Sequence, residues 1–292
     1  MNEMDDVPRP VPEESQRLMH RVRRLMRVRN MAWATEKTYV FWIKRFIYFH
    51  GKRHPEEMGA LEVDQFLSHL AIVRGVSPST QATALNALVF LYKRLFERED
   101  LPLDFHRAKP HRRVPEVFSH EEALAIICHL SGAVRLMANL MYGSGLRTHE
   151  CLRLRVKDVD FSSRVLFVRQ GKGGKDRTTL LPDILVSELR SQIQFVHELH
   201  QQDVKVGAGR VWMPYALERK YPNAALETAW QFLFPATHLA RDPRSGVVRR
   251  HHVHHRTLQK AVKQAIRSAG IHKQASCHTF RHSFATRLLE SA

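Results

Sequence analysis

The chain has 292 residues, 43% of them hydrophobic, enough material for one or two packed domains. Its 46 Lys and Arg against 29 Asp and Glu leave a formal charge of +17, which points to a polyphosphate partner and argues against an acidic-protein binder or a neutral small-molecule enzyme. Three widely spaced cysteines, Cys128, Cys151 and Cys277, with no C-x-x-C, argue against a disulfide scaffold and a cysteine-type zinc site, and no apolar run approaches the ~20 residues of a membrane span.

Residues 1–12 are polar and hold Pro8, Pro10 and Pro12, so they read as a flexible tail; the acidic start is unlike a signal peptide, and the chain reads as cytoplasmic. A domain over 13–106 follows. Its first helix, from Glu13, aligns Leu18, Val22, Leu25 and Met26 on one face and carries Arg17, Arg21 and Arg24 on the others. A second helix aligns Tyr39, Ile43, Phe46 and Ile47, and a third Val63, Phe66, Leu67 and Leu70. The fourth opens at Ser77-Pro78, a capping residue followed by a first-turn proline. Residues 107–116, with Pro110, Pro115 and a basic run, read as a linker.

The domain over 117–292 is the more basic, since residues 111–292 hold 28 basic and 15 acidic side chains against 18 and 14 in residues 1–110. Ser119 and Glu122 form a capping-box pattern, and a helix over about Ala133–Tyr142 stops at Gly143-Ser144-Gly145. Another helix follows around His149–Leu154. The one clear β signal is a hairpin, Arg164–Arg169 and Thr178–Leu181 around the glycine-rich turn Gly171–Gly174. That turn lacks the nucleotide-loop pattern G-x-x-x-x-G-K-[ST]. Helical patterning resumes at Asp183, an irregular aromatic insertion spans about 205–250, and a capped helix covers Ser276–Glu290. The histidine run His251–His255 has no cysteine or carboxylate partner nearby in sequence and is read as a DNA-backbone or structural contact, with no metal.

Arg147 after a glycine turn, Lys172 at a hairpin tip, and His278 and Arg281 three residues apart on one helix form a set suited to phosphoryl transfer. Guanidiniums grip non-bridging phosphate oxygens through paired N–H donors, a lysine can protonate a leaving oxygen, and an imidazole can share a proton at neutral pH. Three segments, Gly145-Leu146-Arg147-Thr148-His149-Glu150, Gly171-Lys172-Gly173-Gly174-Lys175-Asp176-Arg177 and His278-Thr279-Phe280-Arg281-His282, resemble the tyrosine recombinase family in order and spacing.

The resemblance covers nearly the whole chain and is greatest to the integron integrases. That narrower likeness rests on the insertion from Trp212-Met213-Pro214 to Trp230-Gln231-Phe232-Leu233-Phe234-Pro235 and on Arg250-His251-His252-Val253-His254. It implies a mainly α fold, with an N-terminal four-helix SAM-like core-binding domain and an α-rich catalytic domain bearing a small antiparallel sheet. It implies that Arg147 and Arg281 hold the scissile phosphate, that Lys172 is the general acid with Lys175 as the alternative, that His278 assists, and that Glu150 orients the site.

Arg17, Arg21, Arg24, Lys175, Trp212, Trp230, Arg249, Arg250 and His251 are the expected DNA contacts, with the two tryptophans either stacking on unpaired bases or belonging to the core. The implied partners are duplex DNA, folded single-stranded recombination sites and further copies of the chain in a tetramer, in a bacterial cytoplasm and without cofactor. The family nucleophile is a tyrosine well beyond the His-x-x-Arg helix. The six tyrosines here (39, 48, 92, 142, 215 and 221) all precede His278, and the sequence stops eleven residues past Arg281, so the catalytic domain reads as incomplete at its C-terminus. The alternative to a strand-exchanging enzyme is a catalytically inactive DNA-binding form.

Overall fold

A computed structural model describes residues 4–98, 116–169, 171, 175–214 and 217–290. They fall into two compact units, residues 5–98 and residues 116–290 with residue 4.

In the first unit, α1 (Leu18–Val28), α2 (Trp33–Phe49), α3 (Ala60–Ile72) and α4 (Pro78–Phe90) form a bundle, and a π-helical turn, Leu91–Leu95, continues α4. The predicted faces meet: Val22, Met26, Ile43, Phe46, Val63, Phe66, Leu67 and Leu88 form one buried cluster. Ser77 caps α4 by accepting the Thr80 amide. α1 begins at Leu18 rather than Glu13. The Ser15 hydroxyl and carbonyl are taken by the His20 ring and the Arg24 guanidinium, and Arg17 is held extended. The tail is also less free than composition suggests. Met4 and Val7 are buried, and the Met4 amide donates to the Arg241 carbonyl.

In the second unit, α5 (His120–Cys128) starts with the predicted capping box of Ser119 and Glu122. α6 (Gly132–Gly143) runs through the core, and α7 (Thr148–Leu152) leaves the glycine turn. A three-stranded antiparallel sheet follows, β1 (Val159–Asp160), β2 (Val165–Val168) and β3 (Arg177–Leu180), with Val168 opposite Arg177 at the root of the β2–β3 hairpin. After α8 (Val186–Lys205) and the short α9 (Leu217–Lys220), β4 (Pro235–Arg241) and β5 (Val248–His252) pair in a second hairpin. α10 (His255–Ser268) and α11 (Cys277–Glu290) complete the unit. Leu136, Met137, Leu140, Met141, Leu152, Leu166, Leu189, Leu258, Val262 and Phe280 share its core.

The β4–β5 hairpin is a correction to the irregular segment expected there. Strands are recognised by alternating apolar residues, whereas β5 buries Arg249 and His251 on its inward side. The insertion is keyed to the core by Arg155. Its guanidinium donates to the carbonyls of Trp212, at 2.9 Å, and Trp230, and lies 4.6 Å from the Phe232 ring centroid. Of the expected linker 107–116, only residue 116 lies within the described residues.

Candidate active site

The glycine turn sets the geometry. Gly145 has φ +61°, and a Cβ there would collide with the Phe284 ring on α11, so only glycine meets both demands. The close approach brings α11 against the turn, where the Arg281 guanidinium donates to the Gly145 carbonyl. Arg147, at the N-cap of α7, and Arg281 therefore flank one turn.

Glu150 ties this region together. Its Oε2 accepts the Arg147 amide at 2.9 Å and its Oε1 accepts the Arg147 guanidinium at 2.7 Å. Arg177 on β3 donates to Oε2 at 2.6 Å, and an Arg281 nitrogen lies 3.9 Å from the same oxygen. Burial alone would raise the carboxyl pKa. The hydrogen bonds from Arg147 and the charges of Arg177 and Arg147 outweigh it and hold the group below the usual carboxylate value. Three guanidiniums against one carboxylate leave the pocket cationic, and the side chains of Arg147, Arg177 and Arg281 each remain about one-third exposed. The remaining N–H donors of Arg147 and Arg281 can take an oxyanion.

His278 stands one turn before Arg281 on α11. Partial desolvation first, then the charges of His282, Arg147 and Arg281, lower its pKa below the ordinary 6.5, against an upward pull from Glu150. The imidazole is thus neutral at pH 7 and able to accept a proton. Protonation is expected only as pH falls below 6.5. An NMR titration of the ring protons should show that midpoint, and Arg147→Ala should move it upward because a cation opposing protonation is removed. A midpoint at or above 6.5, unmoved by that substitution, would contradict the arrangement.

Arg147, Glu150, His278 and Arg281 are thus brought together as the motifs suggested. Lys172 lies outside the described residues. The side chain of Lys175 is exposed, and its carbonyl accepts the Gly171 amide at 3.0 Å, closing the base of the turn. Arg17 is exposed at the start of α1, Arg24 donates to the Ser15 carbonyl, and Arg21 stands 3.4 Å from Glu56.

The expected DNA contacts in the insertion need correction. The Arg249 side chain is 2% exposed, between Glu218 and Asp242. Arg250 forks onto both Asp203 carboxylate oxygens at 2.6 and 2.7 Å and donates to the Ala236 and Thr237 carbonyls. His251 is buried against the edges of Trp212 and Phe232. Trp212 and Trp230 are half-buried, packed against the cluster of Val211, Met213, Ala225 and Phe232. Glu218 and Asp203, 31 and 47 residues away in the chain, claim these arginines together with Asp242 of the same hairpin. Arg177 was given no role from sequence; its one available signal is its place in the hairpin return strand, where it meets Glu150.

Residues 18–100 match the family described as phage integrase, N-terminal SAM-like domain, and residues 116–292 match the phage integrase family. The chain belongs to this family, the tyrosine recombinases. It is 45% identical over 282 residues to an integrase/recombinase of Escherichia coli, covering 96% of this chain and 83% of the relative, and equally similar to one of Pseudomonas aeruginosa. Tyrosine recombinase XerA of Thermococcus kodakarensis is 29% identical over 208 residues, 66% of this chain and 70% of that one. Among solved structures, a lambda integrase tetramer bound to a Holliday junction aligns with a TM-score of 0.62 at 15% identity, over 94% of this chain and 69% of that one. XerH bound to a palindromic difH substrate aligns at 0.59 and 19% identity, over 95% and 75%. The mainly helical fold with small antiparallel sheets is that of these recombinases, and by family the chain is a DNA strand-breaking and rejoining enzyme. Among the described residues no helix is long and apolar enough to cross a membrane.

Proposed function

We propose that the chain binds recombination-site DNA as a tetramer in a bacterial cytoplasm and belongs to a cassette-exchanging, integron-type system carried on a mobile element. The observation that carries the DNA-binding reading is the cationic pocket of Arg147, Arg177 and Arg281 around Glu150, with neutral His278 beside it. Arg147 and Arg281 hold the non-bridging oxygens of the scissile phosphate. In the full reaction a tyrosine hydroxyl attacks phosphorus to form a 3′-phosphotyrosyl bond, Lys172 protonates the departing 5′-oxygen, and His278 shares a proton with the attacking or bound oxygen. Glu150 orients Arg147. The integron-type assignment is supported by the aromatic insertion 212–235, which in this fold is anchored by Arg155. Duplexes and folded single strands with unpaired bases are the substrates to compare.

The test is a salt titration of binding to a labelled duplex. Affinity should fall steeply with salt, and the Arg147→Ala/Arg281→Ala pair should flatten the log–log slope by roughly 1, since the two arginines share one phosphate and each neutralised phosphate contributes about 0.9. Salt-independent binding, or an unchanged slope in the double variant, would sink the reading.

A further inference from the structure

Arg177 lies on β3, at the root of the hairpin whose turn includes Gly171 and Lys175, opposite Val168. Its guanidinium reaches across to α7 and donates to Glu150 Oε2 at 2.6 Å, the same oxygen that accepts the Arg147 amide. A Cβ on Gly171 would sit 3.4 Å from Glu150 Oε1, so the hairpin root and the carboxylate are in close packing. Thr179, two residues along the same face of β3, donates its hydroxyl to the Ser144 carbonyl in the glycine turn at 2.7 Å. The return strand is therefore fastened twice, to the carboxylate that holds Arg147 and to the turn that presents it.

We propose that Arg177 is a positioning residue of the phosphate pocket: acting through Glu150, it sets the Arg147 guanidinium and the root of the β2–β3 hairpin in one fixed relation. This rests on the recombinase reading above. Without Arg177, Glu150 keeps its charge with one fewer counter-cation. The carboxylate then competes with a DNA phosphate for Arg147, and the hairpin root loses its link to α7. An arginine that itself gripped DNA would behave differently, because its loss would be felt whatever occupied position 150.

The experiment is a double-mutant cycle on the full chain, with duplex affinity at low salt and the His278 ring titration as readouts. The groups facing that ring are His282, Arg147, Arg281 and Glu150. Arg177→Ala should weaken duplex binding about tenfold, the scale of one charge-assisted hydrogen bond, and raise the His278 midpoint as Glu150 becomes less neutralised. In a Glu150→Gln background the same substitution should change affinity by less than about twofold and leave the midpoint in place. Arg177→Lys keeps the charge and should recover most of both readouts, which guards against a misfolded alanine variant. Equal affinity losses in both backgrounds would make Arg177 a direct DNA contact and overturn the proposal. So would a lowered Tm with affinity and His278 titration unmoved, which is the mark of a purely structural residue. Arg147→Ala serves as the control: if it too leaves duplex affinity intact, the recombinase reading of the pocket fails, whereas a loss there with none in Arg177→Ala removes only this inference.

Discussion

None of the six tyrosines within residues 1–292 should become covalently linked to a nicked suicide duplex that the chain binds. In-line displacement needs a hydroxyl about 3 Å from phosphorus, opposite the leaving oxygen. The pocket that would hold the phosphate is built from Arg147, Glu150, Arg177 and Arg281. Three of the described tyrosines have contacts of their own. Tyr92 is buried and donates its hydroxyl to the Pro55 carbonyl, and the Tyr142 hydroxyl meets the His120 ring and Arg287. Tyr39 packs against Phe90 in the first unit. In a protein that carries a family-like tyrosine segment beyond α11 an adduct should form, and Arg147→Ala or Arg281→Ala there should lower it on the order of 10²-fold or more. A covalent band from Met1–Ala292 mapped to any of the six tyrosines would overturn this account of the nucleophile.

Arg249→Ala should act on stability rather than on DNA contact. The Arg249 side chain donates to Glu218 Oε1 and the Val211 carbonyl at 3.0 Å and to the Ser245 hydroxyl at 3.2 Å, and its Nε lies 3.4 Å from Asp242 Oδ2. The Asp242 side chain is 3% exposed, so truncating the arginine strands a buried carboxylate. Removing one member of a buried ion pair costs about 3–5 kcal/mol, which for a unit of this size lowers Tm by roughly 10 °C. Asp242→Asn in the same background should recover part of the loss because the stranded charge is gone. A calorimetric scan decides it. An unchanged Tm together with weakened duplex binding would return Arg249 to the DNA surface.

The helices of the first unit were legible because each buries a single apolar face, so spacing alone marks Val22 and Met26, Ile43 and Phe46, and Val63, Phe66 and Leu67 as core. The pocket was legible in part. Arg147 and Glu150 are one turn apart on α7, and His278 and Arg281 one turn apart on α11, so local geometry pairs them before any fold is known. β4 and β5 were not legible, because their buried positions hold Arg249 and His251, and a polar side chain carries no apolar period.

Residue types and motif order in the sequence mark the family, the α-rich two-part organisation, the cationic balance and the candidate arginines Arg147 and Arg281. These rest on residue type, on helical periods and on the order and spacing of the three motif segments. Tertiary structure alone decided which arginines stay free to meet an anion. Arg249 and Arg250 are taken up by Asp242, Glu218 and Asp203, while Arg147 and Arg281 remain partly exposed beside Glu150, whose other oxygen contact is Arg177. A guanidinium's availability depends on how many carboxylates the fold brings within about 4 Å of it, and Glu218 and Asp203, which claim Arg249 and Arg250, lie 31 and 47 residues away in the chain.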